Sequence, residues 1–428
     1  MKKLSKKAKN ALCLGTLCSI AYLAVYIARN VLSAVTPQMT DPVTGGYSNE
    51  FIGKISSTYL IFYAVGQLIN GSIGDKIKAK YMISLGLALG GVTNFLFLVL
   101  KDIPLGATIA YAMTGFFLAM VYGPMTKVVS ESVEPLYATR TNVGYVFASF
   151  LGSPIAGILA ASIVWQSVFV VSSISLILMA LVVFFFFVVF EKQGIVKYRE
   201  HKKENIKVNG SVKGLIKHGI IKFSLVSIVT GIVRTSVVFW MPQYFAQYIG
   251  FSASDSAMIF TVTTFVMSFV TFIAIFVYEK LNYRMNFTVL LMFSLSVILF
   301  LATYFVKPQF TFVNIILLTL AVMASKGAST MLYSVYCPRL RDTGKVSSIT
   351  GFLDCLSYVG AAVANTFFAN SVDTIGWGNL ILVWAGIVFV GVLVALPYGK
   401  IFKNEPFDKP FIPLTNENEE KNQDQSDN

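Results

Sequence analysis

The sequence predicts an all-α, polytopic membrane protein: twelve transmembrane helices in two pseudo-symmetric six-helix bundles. Three observations lead there. Hydrophobic residues make up 55% of the 428-residue chain and charged residues only 13%, about half of the roughly 25% typical of soluble domains. A water-soluble core cannot hide that much apolar side chain behind so little charge, whereas a bilayer can, so a soluble enzyme is excluded. Apolar runs of about 20 residues, the length that crosses a bilayer, recur twelve times. The first six runs can also be laid over the last six at one nearly constant offset.

The runs of the first half cover roughly 11–37, 51–73, 81–100, 105–128, 141–163 and 165–190. Those of the second half cover roughly 219–245, 254–278, 285–306, 310–334, 346–370 and 377–402. Lys2, Lys3, Lys6, Lys7 and Lys9 precede the first run as they would in a signal peptide. That run is too long, however, and has no small-residue cleavage site, so it is expected to stay as the first helix. In the sixth run, Val182 to Phe190 contains no polar residue and is expected to face lipid. The expected organisation is an N-terminal bundle over 1–190, a cytoplasmic linker over 191–218, a C-terminal bundle over 219–403 and a disordered cytoplasmic tail over 404–428. Lys197, Arg199, His201, Lys202 and Lys203 mark the linker as solvated, and Glu419, Glu420 and Asp424 make the tail polar.

Orientation follows from the loop cations. Of 34 Lys and Arg, Lys54, Lys101 and Lys307 fall in outer loops and Arg29, Arg234 and Lys326 inside spans, leaving 28 on the other face. Both termini are therefore expected in the cytoplasm, with the chain spanning the cell (inner or plasma) membrane as a monomer. The net charge of +13 is strung along loops as topology determinants rather than gathered in a stripe with interleaved aromatics, which excludes nucleic acid as a partner. Cys13, Cys18, Cys337 and Cys355 lack paired or metal-type spacing and read as small buried side chains. His201 and His218 lie in or beside the linker, so no imidazole reaches membrane depth. There is no phosphate-cradling GxxxxGK[ST] motif, which argues against direct ATP drive. No metal or cofactor is expected, and the expected partners are the lipid bilayer and a small solute.

The internal repeat locates the solute. Arg29 precedes Pro37-Gln38 by eight residues, and Arg234 precedes Pro242-Gln243 by the same interval, an offset of 205. Asp75-Lys76 after the second span matches Glu279-Lys280 after the eighth, and Gly123 and Thr126 match Gly327 and Thr330, all at an offset of 204. Such duplication is a recurring architecture of secondary transporters, with the site at the midplane between repeats. A guanidinium inside a span costs at least about 2.5–3.5 kcal/mol, so it must face a wet cavity or a partner. Two symmetry-matched arginines, with no matched carboxylate in either span, read as a divided clamp for an anion, since the planar fork of arginine suits phosphate or carboxylate. Helical spacing adds polar stripes: Tyr22, Tyr26, Arg29 and Ser33; Tyr59, Tyr63, Gln67 and Asn70; Tyr145, Ser149 and Ser153; Ser347, Asp354, Tyr358 and Asn365. Lys326 and Asp354 stand at similar depth, and an ion pair between them is expected in the empty site. The competing reading makes Lys326 a third substrate cation and Asp354 a proton carrier.

Gly71-x-Ile73-Gly74-Asp75-Lys76 after the second of twelve spans resembles the loop signature of the major facilitator superfamily, with Lys78 where a glycine is usual. Tyr22-x3-Tyr26-x2-Arg29-Asn30, Tyr63 twelve residues before Asp75, and Arg234-x5-Trp240-x-Pro242-x-Tyr244 resemble its organophosphate:phosphate antiporters, the group of glycerol-3-phosphate and hexose-phosphate transporters. Gly351-Phe352 and Tyr358-x-Gly360 agree. The resemblance implies that Arg29 and Arg234 bind a phosphoryl group with Tyr22, Tyr26, Tyr63 and Tyr358 around them. Gln67 stands where glycerol-3-phosphate carriers have a lysine, Ser149 where they have a histidine, and Lys326 where they have an aromatic residue. These departures leave the organic part of the substrate open.

The function implied is exchange of an organophosphate for inorganic phosphate by alternating access, with latches at Asp75 and Glu279 on the cytoplasmic side. Two alternatives stand beside it: a proton-coupled organic-anion carrier that titrates Asp354, and a membrane sugar-phosphate receptor of the same fold.

Overall fold

The computed structural model describes residues 5–74, 77–133, 141, 144–145, 147–196, 219–306, 308–337 and 346–396. They form twelve helical spans: α1 (Lys6–Thr40), α2 (Asn49–Gly74), α3 (Ala79–Val99), α4 (Pro104–Val129), α5 (Phe147–Ser162) and α6 (Trp165–Lys192). α7 (Ile220–Ile249), α8 (Ala253–Lys280), α9 (Met285–Phe305) and α10 (Pro308–Tyr336) follow. The segment Val346–Ala395 is two helices, α11 (346–375) and α12 (377–395), joined at Gly376, where the backbone leaves the helical conformation (φ 76°). A left-handed residue is needed to reverse the chain there, and glycine adopts it without a Cβ clash.

Each helix begins and ends close to where its apolar run does. Ser5 caps α1 by accepting from the Ala8 N–H at 3.2 Å, and Pro104 opens α4, where its missing N–H costs nothing. The chain is a multi-pass membrane protein, and its long apolar helices keep their backbone hydrogen bonds internal, as lipid requires.

The packing repeats with a shift of six helices. In the first half α1 packs on α5 and α6, α2 on α4, and α3 on α4 and α6. In the second half α7 packs on α11 and α12, α8 on α10, and α9 on α10 and α12. The two bundles meet along α1–α7, α2–α11 and α5–α8. Small residues allow that close approach: a Cβ on Gly53 would lie 2.3 Å from the Ala369 Cβ, and one on Gly157 would lie 2.2 Å from the Thr261 Oγ1. Hydrogen bonds seal the seam at the end away from the first helix's start. Gln243 donates to Thr40 (2.7 Å) and Asn49 (3.1 Å), Asn49 to Asp373 (3.2 Å), Asn365 to Ser56 (2.6 Å) and Ser33 to the Phe239 carbonyl (2.7 Å).

Two expectations are corrected. The Val182–Phe190 run does not simply face lipid: Phe184, Phe185 and Phe186 are exposed, but Val183, Phe187 and Phe190 are buried against the bundle. A helix offers only one side to the bilayer, so even a wholly apolar run divides between lipid and core. At the start of the linker, Lys192, Gln193 and Gly194 are exposed while Ile195 and Val196 are buried, and Glu191 on α6 pairs with Lys80 on α3 at 2.5 Å. Cys13 is exposed, while Cys18 and Cys337 are buried. The basic run 197–203 and the tail lie outside the described residues.

Candidate functional site

A cavity of about 140 Å³ lies between the bundles, halfway along the seam. Its wall holds Arg29 from α1, Arg234 from α7 and Lys326 from α10. Tyr26, Tyr59, Tyr111 and Tyr358 supply its aromatic surface, and Asn30, Ser149, Ser153, Thr264, Ser268 and Asn365 its neutral polar groups. The two arginines predicted from the repeat therefore converge on one space.

Arg29 sits in a box of tyrosines. Its guanidinium carbon lies 5.3 Å from the Tyr26 ring centre, 4.9 Å from Tyr63 and 4.7 Å from Tyr358. Its Nη1 donates to the Tyr358 hydroxyl at 2.9 Å. Ring faces attract a guanidinium without neutralising it, which keeps the positive charge at the cavity wall. Arg234 is held differently. Its Nη2 donates to Asp354 Oδ1 at 2.7 Å and to Ser357 Oγ at 3.0 Å. Its guanidinium carbon lies 5.2 Å from the Tyr333 ring and 5.4 Å from that of Tyr358. One ring, Tyr358, thus stands between both arginines.

The partner of Asp354 is a correction. Asp354 binds Arg234, and among the described residues no carboxylate reaches Lys326. Matching depth was the basis for pairing Lys326 with Asp354, but depth is only one coordinate. The direction each side chain takes around its helix is the other. α7 lies directly on α11, with Ser227 donating to the Leu353 carbonyl and Ser236 to that of Ala361. That contact brings Arg234 onto Asp354, while Lys326 faces the cavity. Arg234 therefore does have a carboxylate, supplied by a different span.

The remaining expected residues divide. Tyr26, Ser149 and Tyr358 line the cavity. Tyr63 is buried behind the lining but supports Arg29, and its ring centre is 5.0 Å from that of Tyr358. Tyr22 lies one layer back, buried against Tyr26, Tyr122 and Tyr145. Gln67 is half-buried further along α2 and is not part of the cavity wall. Asn70 donates to the Phe116 carbonyl of α4 and serves packing. Glu279 is exposed at the end of α8, and Asp75 lies outside the described residues. The sequence reading passed over Tyr111, Tyr333, Ser357, Thr264 and Ser268. Thr264 and Ser268 stand at helical spacing, i and i+4, and that stripe was a legible signal. Tyr111 and Tyr333 carried none.

By formal charge the site holds three cations and one carboxylate, a net of two positive charges. The Arg234 Nε and the Tyr59 hydroxyl are buried and have no hydrogen-bond partner among the described residues. Such an array attracts an anion and offers it donors.

Residues 18–365 match the family model described as Major Facilitator Superfamily. The chain belongs to that superfamily. It is a membrane transporter by fold and family, not an enzyme. Among its relatives is the glycerol-3-phosphate transporter of Bacillus subtilis, 20% identical over 409 residues, covering 89% of this chain and 90% of the relative. Another is the phosphoglycerate transporter protein of Salmonella typhimurium, 23% identical over 408 residues, covering 86% and 85%. Among solved structures, a bacterial homolog of the human lysosomal transporter Spinster, inward-facing and unoccupied, superposes with a TM-score of 0.74. That match has 13% identity and covers 96% of this chain and 100% of the other, a likeness of fold.

Proposed function

We propose that this transporter binds a small phosphate ester between Arg29 and Arg234 and exchanges it for inorganic phosphate by alternating access. The observation that carries the reading is the convergence of both arginines on Tyr358 at a cavity whose three lining cations, counted with the Asp354 partner of Arg234, carry a net charge of two positive. A dianionic phosphate ester cancels that charge. An empty cavity closing on two uncompensated positive charges is opposed by several kcal/mol of desolvation. Return of the carrier is then favoured only with an anion aboard, which makes exchange the natural mode. The relatives that move glycerol 3-phosphate and phosphoglycerate support the substrate class.

Lys326 is assigned as the third substrate cation, and the altered surroundings at Ser149 and Lys326 select the organic part. The loops at Asp75 and Glu279 act as latches at the cytoplasmic end, where both termini lie, and the bundles 1–190 and 219–403 rock as units. The protein works as a monomer.

The test is uptake of labelled phosphate and glycerol 3-phosphate by proteoliposomes. Vesicles preloaded with phosphate should take up label at least tenfold faster than empty ones. Equal rates, or no movement of any phosphorylated solute, would defeat the proposal. The carboxylate of Asp354 in the site favours one second reading, a proton-coupled anion carrier. Uptake into empty vesicles driven by a pH gradient would select it.

A further inference from the structure

Phosphate exchange as proposed employs three cations and gives no task to the fourth ionic group, Asp354. Its Oδ1 takes a hydrogen bond from Arg234 Nη2 at 2.7 Å, on the nitrogen that also holds Ser357. A carboxylate oxygen and a phosphoryl oxygen use the same planar N–H fork, so Asp354, which approaches Arg234 from beside the cavity wall rather than from within it, engages a donor that an oxygen of the solute would also use. The pair is not sealed as a purely structural bridge would be. Both side chains are 22% exposed, the Arg234 Nε has no partner among the described residues, and Lys326, which no described carboxylate reaches, shares the cavity wall.

We propose that Asp354 is a resident competitor for the phosphate seat on Arg234: it covers the guanidinium in the empty site, yields to the arriving phosphoryl group and helps to expel it. The inference rests on the phosphate-binding reading above. Three cations acting unopposed on a dianion in a low-dielectric cavity would hold it too firmly to let go. A conducting site must bind well enough to load and weakly enough to empty. A carboxylate alongside supplies the opposing charge from within. It lowers affinity on both faces of the membrane alike, and so speeds exchange without biasing its direction.

The rival role is positioning, in which Asp354 merely aims Arg234. The two roles differ in sign. Asp354→Asn keeps the shape and an oxygen for Arg234 but removes the charge. Binding of inorganic phosphate to the purified full-length protein, followed by titration calorimetry, should tighten roughly tenfold or more, in line with the coupling of close charge pairs. The exchange rate at saturating phosphate should fall. Asp354→Ala should also bind phosphate more tightly than the parent, with its ligand-free melting temperature reporting the fold. Unchanged or weaker phosphate binding in either folded variant would overturn the competitor role in favour of positioning. A parent protein that binds neither phosphate nor glycerol 3-phosphate would overturn the phosphate reading itself, a result recognisable before any variant is made.

Discussion

Arginine at 29 and 234 gives the cavity what lysine would not: a planar, permanently charged fork that meets two oxygens at once and rests on aromatic faces. Arg29 uses that property fully, with three tyrosine rings around it and only the Tyr358 hydroxyl as an acceptor among the described residues. Arg234 shares its fork between Asp354 and Ser357. Replacing either arginine with lysine retains the charge but loses the paired donors and the stacking. Phosphate affinity is expected to fall roughly tenfold to a hundredfold in Arg29→Lys and in Arg234→Lys. Calorimetric titration with inorganic phosphate measures it, and an affinity within twofold of the parent would remove the two-arginine clamp from the account.

The helices differ more between the halves than the repeat suggests. α1 carries Arg29 on a regular α-helical turn. α7 carries Arg234 on a π-helical segment, Ile232–Val237, and α10 carries Tyr333 on another, Met331–Tyr336. A π turn takes in an extra residue and rotates the rest of its helix, a feature frequent at functional sites. Such turns help to set which side chains meet Arg234. The α2–α11 contact depends on the absence of a side chain at Gly53, which packs against Ala369 and the Asn365 carbonyl. Gly53→Val should force this seam apart and populate the conformation open at that end. Labelling of Ser56→Cys, at a position buried here, by an impermeant thiol reagent applied from that face should then rise severalfold. No change in labelling would show that the seam tolerates the bulk.

Across the whole molecule, two bundles close at one end of a shared seam with a positively charged cavity at its middle. Lipid tails give helices no hydrophobic reason to associate, so this seam relies on close packing and hydrogen bonds, contacts that can break and re-form. Alternating access requires that it open. Gly157 on α5 and Thr261 on α8 are near enough for a disulfide, with Thr261 Cβ 3.3 Å from where a Cβ on Gly157 would be. The double variant Gly157→Cys, Thr261→Cys should lose at least tenfold in phosphate exchange when oxidised and regain it with reductant. It should bind phosphate in both states. Full exchange by the oxidised protein would rule out opening at α5–α8.

Membrane residence, the number of spans and their approximate ends were all legible in the sequence. Each depends on local composition along about 20 residues, and a bilayer imposes that composition directly. The pairing of Arg29 with Arg234 was legible as well, because a duplicated chain keeps equivalent positions at one offset. The tertiary structure alone decided which groups touch. Asp354 went to Arg234 rather than Lys326, Gln67 stayed out of the cavity, Tyr63 and Tyr22 fell behind its wall, and Tyr111 and Tyr333 entered the site unannounced. Residue spacing gives a side chain's height in the membrane and its face on its own helix. Which neighbour that face meets depends on how twelve helices rotate and cross, and that is settled by packing between residues far apart in the chain.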